Sequence, residues 1–247
     1  MNRLQMTILL AVQVALALCV LPDSLGVESP VIWRQDFEDT LPGYIPIGWH
    51  KAWGTMPPDD ILATSNIESA GGKRSLLIDH LASSDKATMY GICVSTPPIQ
   101  APLIKFSICF MPVGSANETS FSMELRTAGN SERMATLSIA GRTVALTRGD
   151  WKKSVPLGKF EFERWNRMTV WLPCVPGDKS GNVRALLETR NDDGSWRTVS
   201  ETVSMELYKP IAADRKIGVM FNIPGGKGPF KLYLDDIAIE AAAEAGK

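Results

Sequence analysis

The chain has 247 residues, of which 45% are hydrophobic and 21% are charged, and its formal net charge at pH 7 is −1. A nearly neutral chain has no electrostatic attraction to nucleic acid or to an anionic membrane surface, so we expect neither as a partner. The length is sufficient for one well-filled hydrophobic core.

The amino terminus has the residue order of a secretory signal peptide. A short basic start ending at Arg3 precedes an almost entirely apolar run over residues 6–21, and the small residues Ser24 and Gly26 follow. This order predicts a signal peptide over residues 1–26, with cleavage after Gly26. The mature protein is then expected to be secreted, periplasmic or attached to the cell surface.

Two alternatives retain this segment. The apolar run is shorter than the roughly 20 residues of a membrane-spanning helix, but without cleavage it would remain as an anchor. Leu16–Cys19 resembles a bacterial lipoprotein box, although Leu18 stands where such a box has a small residue. No later segment is long and apolar enough to cross a bilayer, so we expect no membrane span after cleavage.

Short runs with an apolar residue at every second position follow the signal. In Ser120–Arg126, for example, every second residue from Phe121 to Leu125 is apolar. This period is typical of strands with one buried face, and turn-forming residues separate the runs. Other such runs are Leu103–Phe110, Ala135–Ile139 and Asn166–Leu172. We therefore predict one all-β domain, a sandwich or barrel, over residues 27–240, with a tail over 241–247.

Two connecting segments stand out. Val183–Thr189 and Ser195–Val203 flank Asn191–Gly194, whose residue types tolerate the left-handed backbone of a tight turn, so we predict a hairpin there. Leu41–Thr64 is rich in proline and is predicted to be a long loop. A loop of this length in a compact domain is often functional.

Three cysteines follow the signal: Cys93, Cys109 and Cys174. If the segments around the first two pair about the Pro97–Pro98 loop, Cys93 faces Cys109 and a disulfide can form in an oxidising compartment. The alternative is three buried thiols that behave as small apolar residues, and the odd number of cysteines favours it.

Five short motifs occur in an order that resembles a known superfamily. They are Asp36–Glu38, Pro46–Trp49, Gly72–Ile78, Arg164–Val170 and Leu232–Ile239. The chain is similar to jelly-roll carbohydrate-binding modules and to the concanavalin A-like lectin/glucanase (laminin-G-like) superfamily over most of its mature length. The resemblance implies a two-sheet antiparallel jelly-roll sandwich with its first and last strands side by side. This architecture hosts lectins, catalytic domains and interaction modules, so it does not fix the function.

The resemblance also implies a structural calcium ion, with Glu38 and Asp235 at the matching positions and Asp36 and Asp236 as alternates. The apolar alternation of the last strand slips by one residue at Asp235–Asp236, which predicts a bulge. Calcium takes about 6–8 oxygen ligands, so loop carbonyls would have to supply the others. The alternative is a pair of exposed acids at a strand kink.

The sequence contains no strong catalytic motif. Glu161 and Glu163 alternate with Phe160 and Phe162, so on a strand both acids would project from one face. This spacing resembles that of strand-borne glucanase acids, which makes the two glutamates weak catalytic candidates. The alternative is a solvated face.

Aromatic residues are better candidates for a binding site. On the strand Asn166–Leu172, Arg167 and Trp171 share a face with Trp165, and this face would present a platform on which a sugar ring stacks. The alternative is that both tryptophans pack beneath a covering loop. We expect Trp53 and Trp151, in or next to loops, to be exposed as well, and Trp49 to fill the edge of the core.

Three functions fit these observations. The first is a secreted, non-catalytic, lectin-like protein that binds polysaccharide or another glycan. The second is a glycoside hydrolase or polysaccharide lyase on the same fold. The third is a structural or adhesive envelope protein that contacts its partner through a sheet edge.

Overall fold

The computed structural model describes residues 30–54, 62–79, 90–114, 120–127, 132–200, 202–223 and 230–242, without the side chains of residues 51–54, 90, 223 and 230. The chain divides into two compact units, Met1–Pro30 and Val31–Lys247. The predicted signal peptide and most of the predicted tail lie outside the described residues. Within the described ranges, no helix is long and apolar enough to cross a bilayer.

The described residues form sixteen β-strands and no helix. The strands are β1 Val31–Gln35, β2 His50–Gly54, β3 Leu62–Ser65, β4 Ser75–Asp79, β5 Tyr90–Ser95, β6 Leu103–Gly114, β7 Ser120–Thr127, β8 Arg133–Ala140, β9 Thr143–Arg148, β10 Ser154–Lys159, β11 Asn166–Pro173, β12 Asn182–Arg190, β13 Trp196–Thr198, β14 Val203–Glu206, β15 Ile217–Ile223 and β16 Phe230–Ala241.

Two antiparallel sheets contain all of these strands. The nine-stranded sheet has the order β13-β12-β11-β6-β16-β4-β3, with β1 beside β16 and β14 beside β12. The seven-stranded sheet has the order β10-β9-β8-β7-β15-β5-β2. The predicted all-β, two-sheet antiparallel sandwich is therefore confirmed.

The core lies between the inner faces of the two sheets, where the apolar residues of each alternating strand meet. Phe110 of the nine-stranded sheet packs edge-on against Phe121 of the seven-stranded sheet, with ring centroids 6.2 Å apart. Trp49 closes one edge of this core, as predicted, because it is only 7% exposed and stacks on Phe221 with centroids 5.7 Å apart.

The first and last described strands are neighbours, as the resemblance implied. Strand β16 pairs with β4 over residues 231–234 and with β1 over residues 237–240, so its partner on that side changes in between. The register of β16 with β6 shifts between Asp235 and Ala238, and Asp236 has a φ of 46°. The predicted bulge is therefore present at the point where the neighbour of β16 changes from β4 to β1.

In the structure the cysteines are the buried thiols that their odd number favoured, whereas the predicted long loop is wrong. Cys93 lies on β5 and Cys109 on β6, in different sheets, because the chain crosses from one sheet to the other after Ser95. Both residues and Cys174 are buried thiols, and burial raises the pKa of Cys109 and Cys174 to about 12. The predicted loop over Leu41–Thr64 contains β2 and most of β3.

The predicted hairpin is confirmed. Strands β12 and β13 pair antiparallel, and the amide of Asn191 donates to the carbonyl of Ser195 at 2.8 Å. Gly194 has a φ of 85°, which is the left-handed conformation that the turn requires.

Candidate functional site

The outer face of the seven-stranded sheet carries a continuous row of cross-strand pairs that runs across all seven strands. Paired residues in a sheet project to the same side, so the row forms a band across this face, and the five members between its two ends are buried. In spatial order its members are His50, Cys93, Met220, Glu124, Thr136, Thr147 and Ser154.

A second row of pairs beside the first consists mainly of small residues. It runs through Gly91, Asn222, Ser122, Ser138 and Ala145. Short side chains next to longer ones leave a depression of 390 Å³, which we call the groove. Its lining includes Ser122, Glu124, Arg133, Ser138, Trp151 and Asn222.

Glu124 lies at the centre of the groove and is only 2% exposed. Its Oε2 accepts hydrogen bonds from Arg126 at 3.1 Å and from Arg133 at 3.0 Å. Its Oε1 accepts one from Asn222 Nδ2 at 2.7 Å. One buried carboxylate is therefore shared by two guanidinium groups.

Two polar atoms near Glu124 are buried without a hydrogen-bond partner among the described residues. They are Nε of Arg126 and Oγ1 of Thr136. The side chain of Arg126 is 13% exposed, and burial lowers its pKa in spite of the charge on Glu124. Buried polar groups are normally hydrogen-bonded, so the polar network around Glu124 is incomplete among the described residues.

Exposed aromatic rings stand at one end of the groove. Trp151, in the turn between β9 and β10, is 48% exposed, and its ring centroid lies 5.2 Å from the guanidinium carbon of Arg133. A Cβ on Gly149 would lie 2.2 Å from the carbonyl oxygen of Arg133, so only glycine lets this turn approach β8 so closely. A second depression of 450 Å³, lined in part by Arg126, Arg133, Trp151 and Tyr208, adjoins the groove here.

The acids around this second depression are paired with cations. Asp150 accepts two hydrogen bonds from Arg148, at 2.9 and 2.8 Å, and these bonds lower the pKa of its carboxyl. Glu206 pairs with Lys153 and Arg148 at 2.8 Å each, and its pKa is lowered by the same contacts, chiefly the one to Lys153. Both carboxyls are therefore ionised near neutral pH.

His50, at the far end of the row, contacts the cysteine beside it. Its Nε2 lies 3.0 Å from Cys93 Sγ, and its Nδ1 lies 3.0 Å from the carbonyl oxygen of Gly48. Three strand spacings separate His50 from Glu124, which is ~14 Å. The two side chains therefore cannot act on one bond as an acid–base pair.

The platform predicted around Trp171 lies on the other sheet, where Arg167 and Trp171 are partly exposed on β11 and Trp165 is buried. Trp165 is 7% exposed and packs with Cys109, Met111 and Tyr233, which leaves little of its ring for a ligand. Arg167 donates two hydrogen bonds to Glu188, at 2.7 and 3.0 Å.

An arginine side chain lies over the ring of Trp171, and another lies over the ring of Trp196. The guanidinium of Arg167 lies 4.5 Å from the centroid of Trp196, and that of Arg184 lies 5.4 Å from the centroid of Trp171. Trp151 is exposed as predicted, whereas the side chain of Trp53 lies outside the described part and only its backbone pairing with Gly91 is defined. Ligand binding by the predicted residues stays a prediction.

The strand predicted around Glu161 and Glu163 is wrong, because these residues form the turn between β10 and β11. Glu163 has a φ of 57°, and Glu161 pairs with Arg197 at 2.7 Å and with Arg164 at 3.2 Å. The two acids therefore do not share one face of a strand. Their catalytic role stays a prediction without the geometry that suggested it.

No protein-family model matches the chain, and no curated protein matches its sequence. Solved structures do match its fold. The catalytic domain of a glycoside hydrolase family 131 protein from Coprinopsis cinerea has a TM-score of 0.57 at 10% sequence identity, covering 86% of this chain and 95% of that one. The chain has a concanavalin A-like jelly-roll fold.

Two further structures match this jelly roll to a similar extent. An endo-β-1,4-glucuronan lyase from Trichoderma reesei has a TM-score of 0.53 at 12% identity, and the match covers 86% of this chain and 96% of the lyase chain. A glycoside hydrolase family 131 β-glucanase domain from Podospora anserina has a TM-score of 0.55 at 12% identity, with the same coverage. At this level of identity the likeness concerns the fold alone.

The acids proposed to hold calcium in this jelly roll instead accept hydrogen bonds from one loop. Oε1 of Glu38 accepts the amides of Lys73 and Arg74 at 2.7 and 2.8 Å. Oδ2 of Asp235 accepts the amides of Ala70 and Gly71 at 2.8 and 3.1 Å.

Asp235 accepts a further backbone amide and is buried. Its Oδ1 accepts the amide of Asp236 at 2.7 Å, so both of its oxygens face N–H donors. Burial raises its pKa to about 7. Both oxygens of this carboxyl are therefore engaged by backbone amides. Calcium binding by the chain stays an untested prediction.

The sequence did not predict the cluster of polar side chains around Glu124. The alternation of Ser120–Arg126 already put Glu124 and Arg126 on the polar face of a strand. Their importance depends on Arg133 and Asn222, and only the pairing of β7 with β8 and with β15 brings these side chains together. A glutamate and an arginine on the polar face of a predicted strand were the available signal.

Proposed function

We propose that the protein binds polysaccharide in the groove of the seven-stranded sheet without cleaving it. The observation that carries the proposal is the half-exposed ring of Trp151 next to hydroxyl, amide and carboxylate groups. A sugar ring can stack its apolar face on tryptophan, while its hydroxyls bond to the serines, Glu124 and Asn222. The groove and the second depression adjoin at Trp151 and Arg133, so a polymer can extend from one into the other.

The charges in the groove favour binding over hydrolysis. Glycoside hydrolysis uses two carboxyl groups roughly 5–10 Å apart, one of which must be protonated. Glu124 accepts hydrogen bonds from two guanidinium groups, and Asp150 and Glu206 are held ionised by their cations. None of these three acids has surroundings that suit a proton donor.

The fold and the amino-terminal pattern support the polysaccharide and the extracellular location in this proposal, but not the absence of cleavage. Domains with this jelly roll include structures named as a β-glucanase and a glucuronan lyase. An exported protein would meet such polymers outside the cell. We therefore propose that the mature protein acts there.

The second candidate is an enzyme that cleaves polysaccharide on the same face. The structures with the same fold include catalytic domains, and the groove holds a carboxylate, Glu124, beside two arginines. Such an enzyme would release product from the polymer that it binds, which a binding protein would not.

Affinity electrophoresis through gels that contain single polysaccharides tests the proposal. We expect the protein to be retarded on at least one polymer without releasing reducing or unsaturated ends. Replacing Trp151 with alanine is expected to weaken the affinity about tenfold or more, because the stacking surface is lost.

The matched control is Trp171→Ala, which removes a tryptophan from the outer face of the other sheet. We expect it to leave retardation unchanged. Retardation that depends on Trp171 and not on Trp151 would move the site to the platform predicted from the sequence. Product release would identify an enzyme, and no retardation on any polymer would favour a structural or adhesive role.

A further inference from the structure

We propose that the protein is specific for acidic polysaccharides and that the second depression, which adjoins the groove, binds the carboxylate of a uronic acid residue between Arg126 and Arg133. This inference rests on the proposed function, because it names the class of polymer that the groove takes.

The first observation is an excess of positive charge in the second depression, which Arg126 and Arg133 both line. Arg126 and Arg133 both donate to the same oxygen of Glu124, at 3.1 and 3.0 Å. The other oxygen of Glu124 accepts from the neutral amide of Asn222. Two cations are therefore balanced by one anion, and of the two only Arg126, 13% exposed, is largely removed from water, whereas Arg133 is 35% exposed.

The second observation is that the neighbouring acids belong to other cations. Glu132 pairs with Lys209 at 3.2 Å, and Asp150 accepts hydrogen bonds from Nε and Nη2 of Arg148. Neither acid is hydrogen-bonded to Arg126 or Arg133. The described part of the chain thus supplies no second carboxylate to the pair.

The third observation concerns the desolvated guanidinium of Arg126. Its Nε is buried and has no acceptor among the described residues. Its Nη1 donates to Glu124 and lies 3.7 Å from the sulfur of Met220. Burial lowers the pKa of this arginine, which reflects the cost of holding its charge there. A buried cation without full compensation is stabilised when an anion binds beside it.

The position of Trp151 explains why the anion would belong to a sugar. The guanidinium carbon of Arg133 lies 5.2 Å from the centroid of the Trp151 ring. One sugar residue can therefore contact the exposed part of the ring and direct a substituent at the guanidinium. Arginine binds planar carboxylates through two parallel hydrogen bonds, a geometry that a hydroxyl group cannot match.

The test compares three gels, containing polygalacturonate, dextran sulfate or a neutral β-glucan, with wild-type protein and Arg133→Gln. We expect the wild type to be retarded most by polygalacturonate and its affinity for that polymer to fall about tenfold in the variant. Affinity for the neutral gel is expected to change little. The matched control is Arg184→Gln, which removes an arginine from above Trp171 on the other sheet and is expected to have no effect.

Two further measurements keep the proposal falsifiable if Arg133→Gln does not fold. Arg133→Lys keeps the charge but loses the paired hydrogen bonds, so we expect intermediate affinity for polygalacturonate. In the wild type, about 0.5 M NaCl is expected to weaken retardation on polygalacturonate and to leave retardation on the neutral gel unchanged.

Each contrary result has a distinct meaning. Equal retardation on neutral and acidic gels, lost in Trp151→Ala, would overturn acid specificity and leave polysaccharide binding intact. Stronger retardation by dextran sulfate than by polygalacturonate would overturn the carboxylate assignment. An effect of Arg184→Gln equal to that of Arg133→Gln would overturn the site. Absence of retardation on all gels would overturn the proposed function together with this inference.

Discussion

Asn166 is completely buried at the start of β11, and its side-chain amide holds the preceding turn in place. Its Nδ2 donates to the carbonyls of Glu161 and Arg164, both at 2.8 Å. Its Oδ1 accepts from the amide of Glu161 at 3.1 Å and from the hydroxyl of Thr189 at 2.7 Å. One side chain therefore satisfies backbone groups of the turn and ties them to β12.

We expect Asn166→Ala to lower the free energy of unfolding by about 2–4 kcal/mol, since several buried partners would lose their hydrogen bonds. Urea denaturation measures this change. The control is Asn182→Ala at the exposed start of β12, for which we expect a change of less than about 0.5 kcal/mol. Equal effects of the two substitutions would contradict the role given to Asn166.

Asp235 makes the stability of the protein depend on pH. Burial raises its pKa from 3.8 to about 7 in the folded state. Between these two values the folded state binds a proton that the unfolded state does not, so stability falls as pH rises through this window. Above about pH 7 the carboxyl is ionised in both states and the stabilisation is lost.

We therefore expect the wild type to lose more stability than Asp235→Asn when the pH is raised from 5 to 8. Urea unfolding at both values, in the presence of a chelator, measures the difference. The same pH dependence in wild type and variant would show that the pKa of Asp235 differs little between the folded and unfolded states.

At the scale of single elements, alternation predicted strands well where one face meets the core. Strands β6, β7, β8 and β11 lie where the pattern put them, because their apolar side chains fill the space between the sheets. The same pattern failed at Phe160–Glu163. There Phe160 enters the core while the backbone turns, and the residue that holds the turn, Asn166, lies outside the pattern.

The candidate site was harder to predict than the strands that carry it. Glu124 meets Arg133 across one hairpin, but it meets Asn222 only because β15 pairs with β7 from almost a hundred residues away. A local pattern contains no information on such pairing. The conditional pairing of Cys93 with Cys109 is absent for the same reason, since the neighbours of β5 are β15 and β2 rather than β6.

At the scale of the whole molecule, the resemblance predicted the two-sheet architecture and the pairing of the terminal strands correctly. These features follow from the order of motifs along the entire chain, which a window of ten residues does not contain. The calcium ion that it also implied depends on a few side chains, and these vary among proteins that share one fold.

A chelator tests the calcium hypothesis on the intact protein. Because Glu38 and Asp235 are engaged by backbone amides, we expect the melting temperature to be the same with and without EDTA. The control is addition of excess CaCl2 to the EDTA-treated protein, which is expected to change nothing. A fall of several degrees with EDTA, reversed by calcium, would establish a structural calcium ion.

The position of β16 sets the order in which this molecule can be completed during synthesis. It follows every other described strand in the chain, yet it lies in the middle of the nine-stranded sheet, between β6 on one side and β4 and β1 on the other. Until residues 230–241 have left the ribosome, the edges of β6, β4 and β1 that pair with β16 have no partner. A chain released before that point keeps open strand edges, which invite aggregation, so a late nonsense mutation would be as damaging as an early one.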